Sequence, residues 1–154
     1  MKTFRAFLFF ALIFLPLASR ALDKPSITLD EFMNATEIRD ARISPDGSAA
    51  VIATIAPDWQ QNRFKEELWL WTRHSGAVVS LTRSGHDSSP QWSPDGRYIA
   101  FLSDRPVAGV ESSDDAKDKE EPSRVWLIPV NGGEAFPLYR ERLDVHTFAW
   151  SPDS

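Results

Sequence analysis

The chain has 154 residues, of which 42% are hydrophobic and 25% are charged, and this is the composition of an ordinary soluble protein with enough length for one core. It contains no cysteine, so a disulfide framework, a thiolate metal site and a cysteine nucleophile are all excluded. Its formal net charge is −5.

The first predicted element is an export signal at residues 1–21. Lys2 and Arg5 precede the apolar run "AFLFFALIFLPLA", and the small residues of "SRA" indicate cleavage after Ala21. The run has 13 residues, whereas roughly 20 are needed to span a bilayer. This length disfavours the alternative, an uncleaved membrane anchor, and predicts a periplasmic or secreted protein.

Cleavage would also change the charge. It leaves 14 basic and 22 acidic residues, a net charge of −8. This balance argues against nucleic acid or an anionic membrane as a partner. Much of the charge lies in "ESSDDAKDKEE", which carries six acids and two lysines within a predicted acidic loop at residues 106–123.

A lead-in segment at residues 22–40 follows the signal. Thr28 is followed three residues later by Glu31, which is a capping-box pattern. Leu29, Phe32 and Met33 lie at helical spacing, so a short helix is predicted near residues 29–35.

One turn then recurs along the chain. "SPDG" occupies residues 44–47 and 93–96, and "SPDS" occupies residues 151–154, at intervals of 49 and 58 residues. Trp69 and Trp126 keep the same register, since they precede the next turn by 24 and 25 residues. Two features that stay in phase indicate a true internal repeat.

Each repeat is predicted to contain four short antiparallel strands. Apolar and β-branched runs flank the turn, and "RHSG" and "VNGG" are typical of hairpins. Four strands in about 50 residues form a β-propeller blade. We therefore expect an all-β fold over residues 41–154, a partial propeller of two blades and the start of a third. "APDWQQNRFKEE", residues 56–67, is predicted to be a loop.

The repeated residues are interpreted as scaffold. In each turn the proline presets φ, the aspartate bonds nearby backbone N–H groups, and the glycine permits a left-handed conformation. Trp92 and Trp150, which precede two of the turns, are predicted to pack between adjacent blades.

Catalytic and metal-binding patterns were sought and not found in the sequence. No two glycines bracket a serine as G-x-S-x-G, and no glycine-rich phosphate loop or EF-hand loop is present. The three histidines, His74, His86 and His146, lack metal-ligand spacing to one another or to a carboxylate cluster. We therefore predict no catalytic residue, no cofactor-binding residue and no metal ligand in this chain.

The chain nevertheless resembles the amino-terminal part of the prolyl oligopeptidase family of serine peptidases, in the style of its acylaminoacyl-peptidase and dipeptidyl-peptidase-like branch. The resemblance covers nearly all of residues 27–154. It is carried by "ITLDEFMNATEIRDARISPDG", "NRFKEELWLW", "HDSSPQWSPDGRYIAFLSDR", "VWLIPVNGGEAFPL" and "FAWSPDS".

The resemblance implies a propeller that covers an α/β-hydrolase domain and restricts access of substrates to the Ser, Asp and His triad. None of the triad positions has a counterpart in this chain, so we expect it to be inactive alone and to meet peptide substrate only within a longer enzyme. Some family members hold the substrate's amino terminus with propeller residues. Glu66 and Glu67 are expected to be only surface charges at a loop edge.

Two alternatives remain open from the sequence. TolB-like periplasmic propellers use the same Ser-Pro-Asp-Gly turn, so the chain can also be interpreted as part of a protein-interaction module. A short protein that assembles blades from several chains is the third reading. The helix followed by "DARISPDG" and the loop "NRFKEELW" that leads to Trp69 favour the peptidases over the TolB-like proteins. The third turn, broken at Ser154 before its return strand, indicates a fragment of a longer propeller.

Overall fold

The structure is a computed structural model that describes residues 26–108 and 121–153. The predicted signal at residues 1–21, most of the predicted acidic loop and Ser154 lie outside the described residues. Within the described part, no helix combines the length and the apolar composition that crossing a membrane requires.

The described residues form two four-stranded antiparallel sheets. The first sheet, which we call the first blade, has the order β1-β2-β3-β4, and the second blade has the order β5-β6-β7-β8. The strands are β1 (Glu37–Ile43), β2 (Ala49–Asp58), β3 (Arg63–Thr72), β4 (Val78–Ser80), β5 (Asp87–Trp92), β6 (Tyr98–Ser103), β7 (Arg124–Pro129) and β8 (Phe136–Pro137). The predicted fold class, an all-β partial propeller, is confirmed.

The predicted loop at residues 56–67 is wrong. β2 and β3 run through it as paired strands, with Pro57 opposite Phe64 and Asp58 opposite Arg63, and only residues 59–62 form the turn. Asn62 takes a left-handed φ of 49° there. β1 pairs with β2 only as far as Ile55. Pro57, which has no N–H to donate, therefore lies where β2 has no neighbouring strand on that side.

The short helix, α1 (Leu29–Met33), ends two residues before the predicted boundary, where Asn34 caps it. The capping box is present: the Thr28 hydroxyl accepts from the Glu31 N–H, and the Glu31 carboxylate accepts from the Thr28 N–H at 2.9 Å. The Trp59 indole N–H donates to the Asn34 side chain at 2.8 Å, which ties this segment to the β2–β3 turn.

The first two repeated turns share one set of hydrogen bonds. The Ser44 hydroxyl donates to Asp46 at 2.6 Å and accepts from the Ala49 N–H at 2.9 Å. The Ser93 hydroxyl makes the same pair of bonds, at the same distances, with Asp95 and the Tyr98 N–H. Gly47 and Gly96 both have a φ of 70°. The two copies of the sequence repeat therefore have the same hydrogen bonds and the same glycine conformation.

The main core lies between the two blades. One face of the first blade packs against the second blade, whose Ile99 and Phe101 are 0% exposed. The core cluster consists of Ala49, Val51, Ala53, Leu68, Leu70, Ile99, Phe101, Val107, Trp126 and Ile128. The opposite face of the second blade packs against the start of the third repeat, through Ala100, Leu102, Val125, Val145, Phe148 and Trp150.

Trp92 links the second blade, and Trp150 the third repeat, to the repeat that precedes it. The Trp92 indole N–H donates to the Arg42 carbonyl at 2.8 Å, and the Trp150 indole N–H donates to the Gln91 carbonyl at 3.4 Å. Both acceptors lie two residues before a repeated turn. The interblade positions predicted for Trp92 and Trp150 agree with these contacts.

Candidate functional site

A group of charged side chains lies where the first blade meets the connection into the second blade. We call it the junction cluster, and it consists of Arg63, Glu66, His86, Asp87, Asp104 and Arg105. It draws residues from β3, from the end of the β4–β5 connection, from β5 and from the segment after β6. Three stretches of the sequence, residues 63–66, 86–87 and 104–105, therefore meet at this junction.

Gly85 allows the connection to lie close against β3. Its φ is +77°, and its carbonyl accepts from the Glu66 N–H at 3.1 Å. A Cβ atom on Gly85 would lie 3.1 Å from Nη2 of Arg63, which is closer than ordinary van der Waals contact. The next residue, His86, forms an isolated parallel bridge with Glu66. A larger residue at this position would have to take a strained backbone conformation and displace the Arg63 side chain.

His86 lies between a carboxylate and a guanidinium. Its Nδ1 is 2.6 Å from Oδ1 of Asp104, and its Nε2 is 3.0 Å from Nη1 of Arg63. Arginine can only donate, so Nε2 must accept and the ring hydrogen must lie on Nδ1, where it is donated to Asp104. The two ring nitrogens of His86 thus face groups of opposite charge, Asp104 at Nδ1 and Arg63 at Nε2.

This arrangement differs from that of a catalytic histidine. A general base needs a free lone pair directed at a nucleophile. In His86 that lone pair is directed at Arg63. Within residues 26–108 and 121–153, the imidazole has no serine hydroxyl among its hydrogen-bond partners. The two contacts of His86 join Arg63 of the first blade to Asp104 of the second.

A buried ion pair lies beside His86. Asp87 is 0% exposed and accepts from the Arg105 guanidinium at 2.6 Å and from the Ser84 hydroxyl at 2.7 Å. The Arg105 guanidinium lies over the Trp126 ring, 4.4 Å from its centre. Both charges are thus satisfied, which a buried pair requires if it is not to destabilise the fold.

Glu66 differs from its neighbours because its carboxylate makes no hydrogen bond or ion pair among the described residues. Burial raises its pKa, and the field of Arg39 partly opposes this effect. Glu66 lines two clefts at the junction. One, of about 520 Å³, lies between β1 and β5 and includes Arg39, and the other, of about 670 Å³, includes Phe64 and Asp104.

The residues singled out from the sequence are dispersed. His74 is exposed beside the β3–β4 turn, and His146 is exposed with its Nε2 3.5 Å from Asp144. Glu66 and Glu67 lie within β3, so their predicted place at a loop edge is wrong, for the same reason that the loop at residues 56–67 is wrong. In the part of the chain that the structure describes, no three His, Cys, Asp or Glu side chains are grouped as metal ligands.

Arg63, Asp87, Asp104 and Arg105 were not predicted from the sequence. A signal for three of them was present, because β5 and β6 form a hairpin about the turn at residues 93–96, and Asp87 pairs with Ser103. This register brings the ends of "HDSSPQWSPDGRYIAFLSDR" together, so that His86-Asp87 meets Asp104-Arg105. No local pattern shows that Arg63, from the other blade, completes the group.

Comparison with known proteins shows similarity to two peptidases. No family model matches the chain. It is 28% identical to the uncharacterized peptidase YuxL of Bacillus subtilis over 131 residues, and these cover 84% of this chain and 18% of that protein. It is 31% identical over 78 residues to dipeptidyl-peptidase 5 of Porphyromonas gingivalis, 50% of this chain and 11% of that protein. The chain thus spans less than a fifth of each of these relatives.

Solved structures give the same fold. The acylaminoacyl peptidase of Pyrococcus horikoshii matches 77% of this chain and 16% of its own, with a TM-score of 0.59 and 15% identity. The β-propeller domain of the trilobed protease of Pyrococcus furiosus matches 77% of this chain and 32% of its own, with a TM-score of 0.55 and 16% identity.

These matches define the class: the chain is a propeller segment related to peptidases. More particularly, its fold matches the acylaminoacyl peptidase of Pyrococcus horikoshii and the propeller domain of the trilobed protease, and its sequence relatives are peptidases, which confirms the predicted resemblance.

Proposed function

We propose that the two blades belong to a propeller that restricts access to the hydrolase domain of a serine peptidase, so that peptides and not folded proteins reach the nucleophile. The observation that carries this proposal is the sequence match to a peptidase over 84% of the chain. In this proposal the chain supplies a wall of the access route and no catalytic group.

The arrangement of the blades supports this role. β1 and β5 are the edge strands of their sheets and contact each other. The cleft between them is lined mainly by polar side chains, among them Arg39, Arg42, Thr54 and Ser88. A polar lining suits a passage through which hydrated peptide moves, since it offers hydrogen bonds without a tight apolar contact.

We also propose that the protein is exported, and that peptides are its partners only in the complete enzyme. The charged start, apolar run and small-residue site of residues 1–21 support export. The net charge of −8 after cleavage is the reason to expect no nucleic-acid partner.

The experiment compares the 154-residue chain with the full product of its gene on short peptidyl-nitroanilides and on a folded protein substrate. The chain alone is expected to release no nitroaniline, and the full product is expected to cleave the peptide but not the folded protein. Ile99→Ala in the full product, which loosens the packing between the blades, should raise cleavage of the folded protein relative to the peptide. Val79→Ala, at an exposed position of the outer strand β4, is the matched control.

Two outcomes would overturn the proposal. Hydrolysis by the 154-residue chain itself would show that the catalytic group lies within it. A full gene product that contains further blades, shows no hydrolysis and co-purifies with a periplasmic protein would support the TolB-like interaction module instead.

A further inference from the structure

We propose that the helix α1 and the tip of the β2–β3 hairpin form a docking surface for the hydrolase domain of the complete enzyme, an inference that rests on the proposed function. The surface, which we call the apolar end, consists of Ile27, Leu29, Phe32, Met33, Trp59 and Phe64. Each of these side chains is between 46% and 77% exposed. A group of exposed large apolar side chains on a soluble protein marks an interaction site.

The helix α1 is held in shape by its caps and not by packing. None of its five residues is buried, and five residues are too few for a helix that is stable in isolation. The capping box of Thr28 and Glu31 fixes its start. At its end, the Asn34 side chain donates to the Asp30 carbonyl at 2.8 Å. A surface that is ordered in advance loses little conformational entropy when a partner covers it.

Trp59 joins the hairpin tip to this helix. Its indole N–H donates to the Asn34 side chain at 2.8 Å, so the polar atom of the ring is satisfied while the ring itself is 60% exposed. Phe64, which lies opposite Pro57 in the same hairpin, is 67% exposed. The helix and the hairpin tip therefore present their apolar side chains at the same end of the first blade.

The opposite end of the first blade has a different chemical character. Its two turns, "SPDG" at residues 44–47 and "RHSG" at residues 73–76, contain no Leu, Ile, Val, Met, Phe or Trp. Arg73 and His74 are both exposed there. One blade with an apolar end and a polar end indicates that the apolar end is the one that another domain covers.

The position of the apolar end favours a domain of the same polypeptide as its partner. The chain spans less than a fifth of each peptidase relative, so most of each relative lies outside the match. Only Ala35 and Thr36 follow Asn34 before β1 begins, so the apolar end lies where the polypeptide enters the propeller. A tethered domain is present there at high effective concentration. The acidic residues in the first turn of α1 disfavour an anionic membrane as the alternative.

The test is photo-crosslinking in the full gene product. Phe32→p-benzoylphenylalanine places a photoreactive ring at the centre of the apolar end, and mass spectrometry after irradiation identifies the peptide that it contacts. The expected link joins residue 32 to the hydrolase domain of the same polypeptide. His74→p-benzoylphenylalanine, at the exposed turn of the opposite end, is the matched control and should give no link to that domain.

Three results would overturn the docking surface: a link between two copies of the protein, a link to lipid, or no link from residue 32 to the hydrolase domain. Cleavage of a peptidyl-nitroanilide by the same samples separates this inference from the proposed function. Hydrolysis without the link overturns the docking surface alone. The link without hydrolysis overturns the proposed function alone.

A second variant keeps the inference testable if the photoreactive protein does not fold. Phe32→Gln should lower the midpoint of thermal unfolding of the full gene product, because it removes an apolar ring from the covered surface. In the 154-residue chain, where Phe32 is 69% exposed, the midpoint should not change. His74→Gln should change neither midpoint. Equal shifts in the chain and in the full product, or no shift in either, would contradict the docking surface.

Discussion

The two blades have the same turn, the same strand order and the same register of landmarks, yet their central strands are buried to different extents. Ile99 in β6 is 0% exposed because the first blade covers its face. Ile52 in β2 lies on the corresponding face of the first blade, where the described residues place no further sheet, and it is half-buried. Burial in this fold is therefore conferred by the neighbouring blade more than by the blade's own sequence.

The largest expected effect tests this difference directly. Ile99→Ala removes the same atoms as Ile52→Ala, but from a fully enclosed site, so we expect it to cost about 3 to 4 kcal/mol in the free energy of unfolding. Ile52→Ala should cost less than half of that, because its site is already partly solvated. Urea unfolding followed by tryptophan fluorescence measures both. Equal costs would show that packing between the blades does not account for the burial.

A smaller effect is expected from the tryptophan links. Trp92→Phe removes the indole donor to the Arg42 carbonyl, and we expect a loss of about 1 kcal/mol. Trp150→Phe should cost less, since its contact to the Gln91 carbonyl is longer, at 3.4 Å. The two urea midpoints decide the order. If Trp150→Phe were the more damaging, the third repeat would hold the second blade more firmly than the first blade does.

The smallest effect concerns the turns, where the blades should not differ. Hydrogen bonds from the serine hydroxyl and a backbone N–H lower the pKa of Asp46 and of Asp95 to about 2, from an ordinary value of 3.8. A carboxyl whose folded-state pKa is lowered stabilises the fold above its ordinary pKa, and this contribution is lost as the pH falls from about 4 towards 2.

Asp46→Asn and Asp95→Asn should therefore each reduce the acid sensitivity of unfolding in that range, and by similar amounts. Urea midpoints at pH 5, 4, 3 and 2.5 provide the measurement, with Glu134→Gln, at an exposed position outside the repeated turns, as a control. An effect confined to one blade would mean that the two turns are not energetically equivalent.

The sequence predicted the blades because their signals are local and repeated. The Ser-Pro-Asp-Gly turn, the hairpin glycines and the capping box each follow from the conformations of a few adjacent residues. The strand ends within residues 56–67 were not predicted because their proline and polar residues are typical of a loop. Only the pairing of β2 with β3 makes these residues strands. The propeller class came from periodicity combined with family resemblance.

The junction cluster was predictable only in part. The hairpin register determines that Asp87 and Arg105 lie together, and this could be deduced from the turn. The contact of His86 with Arg63 depends on how one blade stacks on the next, which no spacing within a repeat encodes. Contacts between side chains of different repeats are therefore the ones that the sequence does not predict.

The link from Trp92 to the first blade has a consequence for how such proteins grow. Its acceptor is a backbone carbonyl, which every amino acid carries, so the preceding repeat needs no matching side chain. The tryptophan of a duplicated repeat can therefore donate to the same backbone carbonyl in the repeat before it, whatever side chain that residue carries. The first repeat has Ile43 at the corresponding position and has no indole to offer. In this link the added repeat supplies the side-chain donor, and the preceding repeat supplies only its backbone.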